Sequence, residues 1–286
     1  MVNPIKKYLS FVKFNHTVFA MPFAMIGFTL GIASDNNSFS LKTLLLIILC
    51  MVTARNAAMG FNRFADRKFD AQNPRTSTRE IPLGIISPGA ALTFVIVNAA
   101  IFVLATYFIN NLAFLLSPVA LLVVLGYSLT KRFTAFCHLI LGLGLSLAPI
   151  GAYIAVTGQF AIEPVIFSFI TLTWTSGFDI IYALQDDEFD RSTNLYSIPA
   201  AVGRKNALII SSALHFITFC LVVTTGIISQ SGIMYWIGAS LFSGLLLYQH
   251  LIVKTHNLSK VNLAFGTTNG IASILFAVFV IVDILL

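Results

Sequence analysis

Nine apolar runs, each about 18 residues or longer, leave this chain few ways to fold. They lie near residues 17–34, 42–60, 88–109, 112–129, 134–157, 162–184, 206–228, 232–252 and 265–286. A run of that length matches the hydrocarbon core of a bilayer. In lipid every backbone N–H and C=O must be satisfied within the segment, so the runs predict helices. Charged residues make up only 10% of the chain, against roughly 25% in a soluble domain, and mean hydropathy is +0.89. No long polar linker separates the runs. The expectation is one all-α polytopic membrane domain over residues 1–286 with nine transmembrane helices.

The basic residues orient it. Lys6, Lys7 and Lys13 precede the first run, and Arg55, Arg63, Arg67, Lys68, Arg75 and Arg79 surround the end of the second. Lys131 and Arg132 follow the fourth, Arg191, Arg204 and Lys205 the sixth, and Lys254 and Lys260 the eighth. With nine spans, only Lys42 of the 17 basic residues falls on the other side. The positive-inside rule makes the crowded side cytoplasmic. The net charge of +6 therefore needs no nucleic acid to explain it. The first run, followed by the polar Asp35-Asn36-Asn37, reads as a retained span rather than a signal peptide. Cys50, Cys137 and Cys220 stand singly in apolar runs, as small core residues do.

In a chain with 11 acids, two carboxylate-rich stretches stand out. One is Asn62-x-x-x-Asp66-x-x-x-Asp70; the other is Asp179 followed by Asp186-x-x-x-Asp190. A spacing of four advances about 40° around a helix, so each set lines one face, and the seven-residue step from Asp179 to Asp186 returns to nearly that face. Arg55 precedes Asn62 by seven and shares its face, while Pro74 ends that helix before Arg75 and Arg79. Asp187 and Glu188 point away from the Asp186/Asp190 face and are expected to be solvated. An aspartate in an apolar helix is costly, so Asp179, near Gly177, suggests a cavity rather than lipid.

Both stretches lie on the cytoplasmic side. Carboxylates crowded at one mouth repel one another, and a divalent cation removes that repulsion; aspartates with water and phosphate oxygens are a usual Mg²⁺ environment. The interleaved Arg and Lys side chains would repel a bare metal but suit a metal–diphosphate complex. The implied substrate has a diphosphate head and, because the mouth adjoins the bilayer, an apolar tail.

These residues resemble a known family. The Asn62/Asp66/Asp70 stretch with the following Asn73-Pro-Arg-Thr and Arg79-x-x-Pro-x-Gly, together with Asp179-x-x-Tyr-Ala-x-Gln-Asp186-x-x-x-Asp190, resembles the UbiA superfamily of intramembrane prenyltransferases. The resemblance spans essentially the whole chain. It implies nine helices around a central lipid-open cavity with a polar cytoplasmic cap, in a membrane of the bacterial inner-membrane type. It assigns Asn62, Asp66, Asp70, Asp186 and Asp190 to Mg²⁺ and polyprenyl diphosphate. Arg55, Arg67, Arg75, Lys131 and Tyr127, close to them, are further candidate binding residues. Tyr127-Ser-Leu-Thr-Lys131-Arg132 is similar to a family stretch whose arginine faces the carboxylate of an aromatic acid acceptor, here Arg132. The implied reaction is electrophilic substitution on a phenol ring, with Asp186, or less readily Asp179, orienting or deprotonating the phenol. The HTVFAMPFA start and the SIPAAVG stretch, Ser197 to Gly203, are similar to the branch acting on 4-hydroxybenzoate or a dihydroxynaphthoate in respiratory quinone synthesis.

Two rival classes share some of these features. A cation-coupled transporter places acids near the bilayer midplane on broken helices, whereas these cluster at helix ends among arginines. A non-catalytic polyprenyl-lipid binder would share the site and release no product. Lys13 and His16 are candidates for the same mouth, and His138 for acceptor positioning. His215 and His250 read as packed histidines. Asn269, in Thr-Thr-Asn-Gly, matches a family position without a derivable role.

Overall fold

The computed structural model describes residues 4–12, 19–34 and 37–286; Lys13, His16, Asp35 and Asn36 lie outside the described residues. The described residues form helices and connecting turns: α1 Pro4–Phe11, α2 Met21–Ala33, α3 Leu41–Gln72, α4 Pro88–Ile109, α5 Asn111–Thr130, α6 Cys137–Thr157, α7 Ile162–Ala183, α8 Asp187–Ser192, α9 Ile198–Ile228, α10 Ile233–Ile252 and α11 Asn269–Leu285. A π-helical turn, Leu263–Thr268, leads into α11. Seven of these segments are long and apolar enough to cross a membrane: α3 to α7, α9, and the π-turn joined to α11. Two more apolar helices, α2 with 13 residues and α10 with 20, occupy the first and eighth runs.

Close helix approach depends on small residues where lipid supplies no hydrophobic drive between helices. A Cβ at Gly27 of α2 would lie 1.9 Å from the Pro149 carbonyl oxygen of α6, and one at Gly142 of α6 would lie 2.6 Å from the Leu172 carbonyl oxygen of α7. Larger residues fill the seam of α2, α7, α10 and α11, where Phe23, Trp174, Phe242 and Phe276 are fully buried.

Two helix ends position the acids. Ser40 caps α3, its hydroxyl accepting from the Thr43 N–H at 3.3 Å. The helix then runs unbroken past its apolar part to Gln72 and stops where Asn73, held extended at φ −85° and ψ 119°, precedes Pro74. The second cluster departs from the expectation of one continuous face. Helix α7 stops at Ala183, and the N–H groups of Leu184, Gln185 and Asp186 turn back to carbonyls three residues earlier. Asp186 is the N-cap of the separate six-residue α8. The Asp186 carboxyl is held by Asn73 and Arg75 from the turn after α3, a long-range hold that a helical wheel does not contain.

Candidate functional site

A cavity of about 630 Å³ is lined by Asn62, Asp66 and Asp70 of α3, by Asp179 of α7, and by Asp186 and Asp190 of the following turn and helix. The two acidic stretches therefore share one chamber. Arg55, Arg63, Arg75, Arg79, Lys131 and Tyr127 line it as well. Much of its remaining wall is apolar and includes Phe102, Leu116, Val119, Leu147 and Phe160.

Asp66, Asp70 and Asp186 each have a cation, and Asp190 a hydroxyl. Asp66 takes Lys131 Nζ at 2.8 Å, lies 3.6 Å from Arg132 Nη2, and accepts from Asn62 Nδ2 at 3.2 Å. Asp70 accepts from Arg79 Nη1 at 2.8 Å. Asp186 accepts from Arg75 Nε at 2.8 Å, from Arg75 Nη2, and from Asn73 Nδ2 at 3.0 Å. Arg75 Nη1 also donates to the Tyr182 hydroxyl at 2.9 Å. Asp190 accepts from the Ser197 hydroxyl at 2.8 Å. The chain between α3 and α4 supplies both Arg75 and Arg79, folding back over the end of α3 with the Thr76 hydroxyl on the Asp70 carbonyl at 3.2 Å.

The two outer carboxylates are tuned in opposite directions. Burial pushes Asp186 upward, but the charged hydrogen bonds of Arg75, with Asn73 and Arg79, outweigh it and hold the group below the ordinary carboxylate range. Asp190 is raised by burial and by the neighbouring Asp186 charge, against the opposing Ser197 hydroxyl. Arg75 loses some basicity to burial and regains more from Asp186, so its guanidinium is held charged.

Asp66 Oδ1 and Asp70 Oδ2 are buried without a hydrogen-bond partner. Buried carboxylate oxygens left without a hydrogen bond, on residues that line the chamber, are what a hard divalent cation takes, so the donor set fits Mg²⁺. Among the described residues no three His, Cys, Asp or Glu side chains are arranged to hold a metal alone.

Deeper in the wall, His138 Nδ1 lies 2.7 Å from Asp179 Oδ2, and His138 Nε2 accepts from the Ile198 N–H at 3.3 Å. That backbone donor assigns the proton of a neutral imidazole to Nδ1, so His138 donates to Asp179.

Several expected residues sit elsewhere. Arg67 does not line the cavity: its guanidinium donates to the Phe64 carbonyl at 2.7 Å and lies 4.5 Å over the Phe64 ring. One residue past Asp66, it faces off the acidic stripe. Arg132 is also off the wall, donating to the Ala65 carbonyl at 2.9 Å beside Asp66. Asp187 is buried, not solvated, because Arg204 grips both its oxygens and Arg191 adds a third contact at 3.0 Å. Glu188 is solvated as expected, 84% exposed. Cys220 is exposed rather than in the core. His215 and His250 are hydrogen-bonded to each other at 2.9 Å, away from the cavity. Asn73 and Ser197 open stretches that carry the family resemblance, Asn73-Pro-Arg-Thr and SIPAAVG, but no spacing in the sequence points to their contacts with Asp186 and Asp190.

Residues 20–279 match the profile of the UbiA prenyltransferase family. The 4-hydroxybenzoate octaprenyltransferase of Aliivibrio fischeri is 30% identical over 233 residues, covering 82% of this chain and 81% of its own length. The apo structure of a UbiA homolog from Aeropyrum pernix superposes with a TM-score of 0.84 at 30% identity, over 94% of this chain and 98% of that one. A UbiA homolog from Archaeoglobus fulgidus bound to DMAPP and Mg²⁺ shares the fold, with a TM-score of 0.75 at 23% identity over 98% of this chain and 99% of that one.

Proposed function

Because the chain belongs to the UbiA prenyltransferase family, we propose that it transfers a polyprenyl group from a polyprenyl diphosphate to the ring of a hydroxylated aromatic acid. The acceptor is 4-hydroxybenzoate, as in the names of the relatives, or a dihydroxynaphthoate, and the pathway is respiratory quinone synthesis. The carrying observation is that both acidic stretches line one cavity with Arg75, Arg79 and Lys131 interleaved.

Without ligand, these cations and carboxylates neutralise each other in pairs. A metal–diphosphate complex brings the same two charges in one body, so the pairs can exchange: Asp66, Asp70, Asp186 and Asp190 turn to the metal, and Arg75, Arg79 and Lys131 to the phosphate oxygens. Mg²⁺, when bound, neutralises charge building on the departing diphosphate. Asp66, Asp70, Asp186 and Asp190 would hold the metal together with oxygens of the diphosphate. Asn62 orients Asp66, and Asn73 orients Asp186.

The acceptor reading changes two assignments. Asp186, held ionised by Arg75, is a weak base, whereas Asp179 lines the wall and is oriented by the His138 Nδ1–H. Asp179 is therefore the better candidate to take the phenol or ring proton. Arg55 lines the cavity and is better placed than Arg132 for the acceptor carboxylate; Arg132 serves Asp66. The apolar wall keeps water from an electron-poor prenyl carbon.

The chain is an integral membrane protein. With α2 and α10 counted beside the seven longer segments, nine spans enclose a cavity open to lipid, in a bacterial-type inner membrane with the site on the cytoplasmic side. The sidedness rests on the basic residues around the ends of the apolar runs.

The test is incubation of membranes carrying the chain with a polyprenyl diphosphate, Mg²⁺ and either acceptor, followed by mass spectrometry of the lipid extract. A prenylated aromatic acid is expected. Mg²⁺-dependent donor binding with no product from either acceptor would refute this reading.

A further inference from the structure

The π-helical turn Leu263–Thr268 is held by a buried amide. Turns of this widened kind are rare and concentrate at functional sites. Asn269 Oδ1 accepts from the Trp174 indole N–H at 3.0 Å and from Gln249 Nε2 at 2.8 Å, which fills both its acceptor positions. Asn269 Nδ2 donates to the carbonyls of Ala264 at 3.0 Å and Phe265 at 3.1 Å, and to Gln249 Oε1 at 3.3 Å. Trp174, Gln249 and Asn269 are each 0% exposed, and none lines the cavity. Helices α7 and α10 thus converge on the Asn269 side chain of α11, whose amide holds the backbone of the turn.

Phe265, in that turn, does line the cavity. Its ring stacks on Tyr182 with centroids 4.1 Å apart and planes 29° apart. The Tyr182 hydroxyl takes Arg75 Nη1 at 2.9 Å, and the Arg75 guanidinium lies 5.2 Å over the Tyr182 ring. Arg75 in turn holds Asp186. A continuous line of contacts therefore runs from a buried amide pair outside the chamber to the cation that pairs with the second acidic stretch.

We propose that Asn269 and Gln249 are positioning residues for prenyl diphosphate binding: they fix the π-turn, the turn sets Phe265 against Tyr182, and Tyr182 holds Arg75 ready for the diphosphate. This rests on the prenyl diphosphate reading above and gives Asn269 a role. The amide pair touches no substrate. It acts by restricting where one ring can stand, and a Leu at Phe265 would leave Tyr182 without its stacked partner. Loss of such an aromatic pair corresponds to roughly a 3- to 10-fold effect on binding.

The experiment is a titration of the full chain in nanodiscs with geranyl diphosphate and Mg²⁺, followed by calorimetry, beside thermal unfolding of the same samples. Asn269→Leu and Phe265→Leu are each expected to weaken binding roughly 3- to 10-fold. Phe265→Tyr, which keeps a stacking ring, is expected to stay within about twofold. The double variant Asn269→Leu/Phe265→Leu is expected to bind no more weakly than the worse single change, because both act on one line of contacts. If Asn269→Leu does not accumulate, Asn269→Asp, which keeps the acceptor and loses the amide donors, replaces it in the series. A lower unfolding temperature with unchanged affinity, or additive losses in the double variant, overturns the proposal. A wild-type chain that binds no geranyl diphosphate refutes the prenyl diphosphate reading itself, and the positioning role with it.

Discussion

Arg75 and Asp186 stand 111 residues apart in the chain and meet in a two-point ion pair, Nε donating to Oδ1 at 2.8 Å and Nη2 to Oδ2. The pair joins the turn after α3 to the turn after α7, and so closes the two acidic stretches over one chamber. A planar fork makes that contact, and a third nitrogen of the same guanidinium reaches Tyr182. An ammonium has the charge without the fork.

Arg75→Lys is therefore expected to lower kcat/KM for the prenyl diphosphate about tenfold or more, chiefly through KM, since hydrogen bonds to charged groups contribute about 1.5–3 kcal/mol. Steady-state kinetics in membranes at fixed acceptor concentration reads this. An unchanged KM would mean that the fork serves only the ligand-free fold.

The opposite tuning of Asp186 and Asp190 predicts opposite stability effects in the ligand-free protein. Asp186 is lowered, so its contribution is present above the ordinary carboxylate value of 3.8 and is lost as pH falls through its depressed folded value. Asp190 is raised, so its ionised form costs stability at neutral pH, and that cost disappears as pH falls through its raised folded value. At pH 7 to 8, Asp186→Asn is expected to lower the unfolding temperature and Asp190→Asn to raise it. Both substitutions are expected to weaken diphosphate binding. Thermal unfolding in detergent without ligand checks the signs, and two shifts of the same sign would contradict the assignment.

Asp187 and Glu188 are adjacent acids with opposite fates. Asp187→Asn is expected to cost about 1.5–3 kcal/mol of stability, because a buried acceptor of two arginines loses its charge. Glu188→Gln is expected to change stability by less than about 0.5 kcal/mol, as exposed pairs do. Denaturation of the two variants in parallel measures the difference.

The unpartnered oxygens of Asp66 and Asp70 predict a metal dependence that is local to them. Chelation is expected to abolish product and added Mg²⁺ to restore it. Asp70→Asn is expected to require roughly tenfold more Mg²⁺ for half-maximal activity, and Asn62→Ala a smaller increase through the orientation of Asp66. A Mg²⁺ titration curve that Asp70→Asn leaves in place would remove Asp70 from the metal site.

The first acidic stretch was legible in the sequence because it lies on an uninterrupted helix, where a spacing of four means a shared face. The second was legible in composition and not in geometry. Asp179, Asp186 and Asp190 reach the cavity through a helix end, a turn and a new helix, and the contact from Arg75 that holds this arrangement comes from 111 residues away. Periodicity sees only local spacing, so it leaves Asp187 as a solvated acid, while nearness to Asp66 alone admits Arg67, whose side chain turns to Phe64. The apolar runs located the helices well, while the kink of α9 at Gly203, with φ +80°, and the π-turn before α11 carry no periodic signal. His138 was visible only as a histidine near the mouth; its role follows from the Ile198 N–H that sets its tautomer.

The most direct test is a structure determined with Mg²⁺ and geranyl diphosphate bound. One diphosphate is expected between the two acidic stretches, with carboxylates of both α3 and the α7–α8 turn on its metal and Arg75 moved from Asp186 to a phosphate oxygen. A diphosphate held by only one of the two stretches, with the Arg75–Asp186 pair intact, would contradict it.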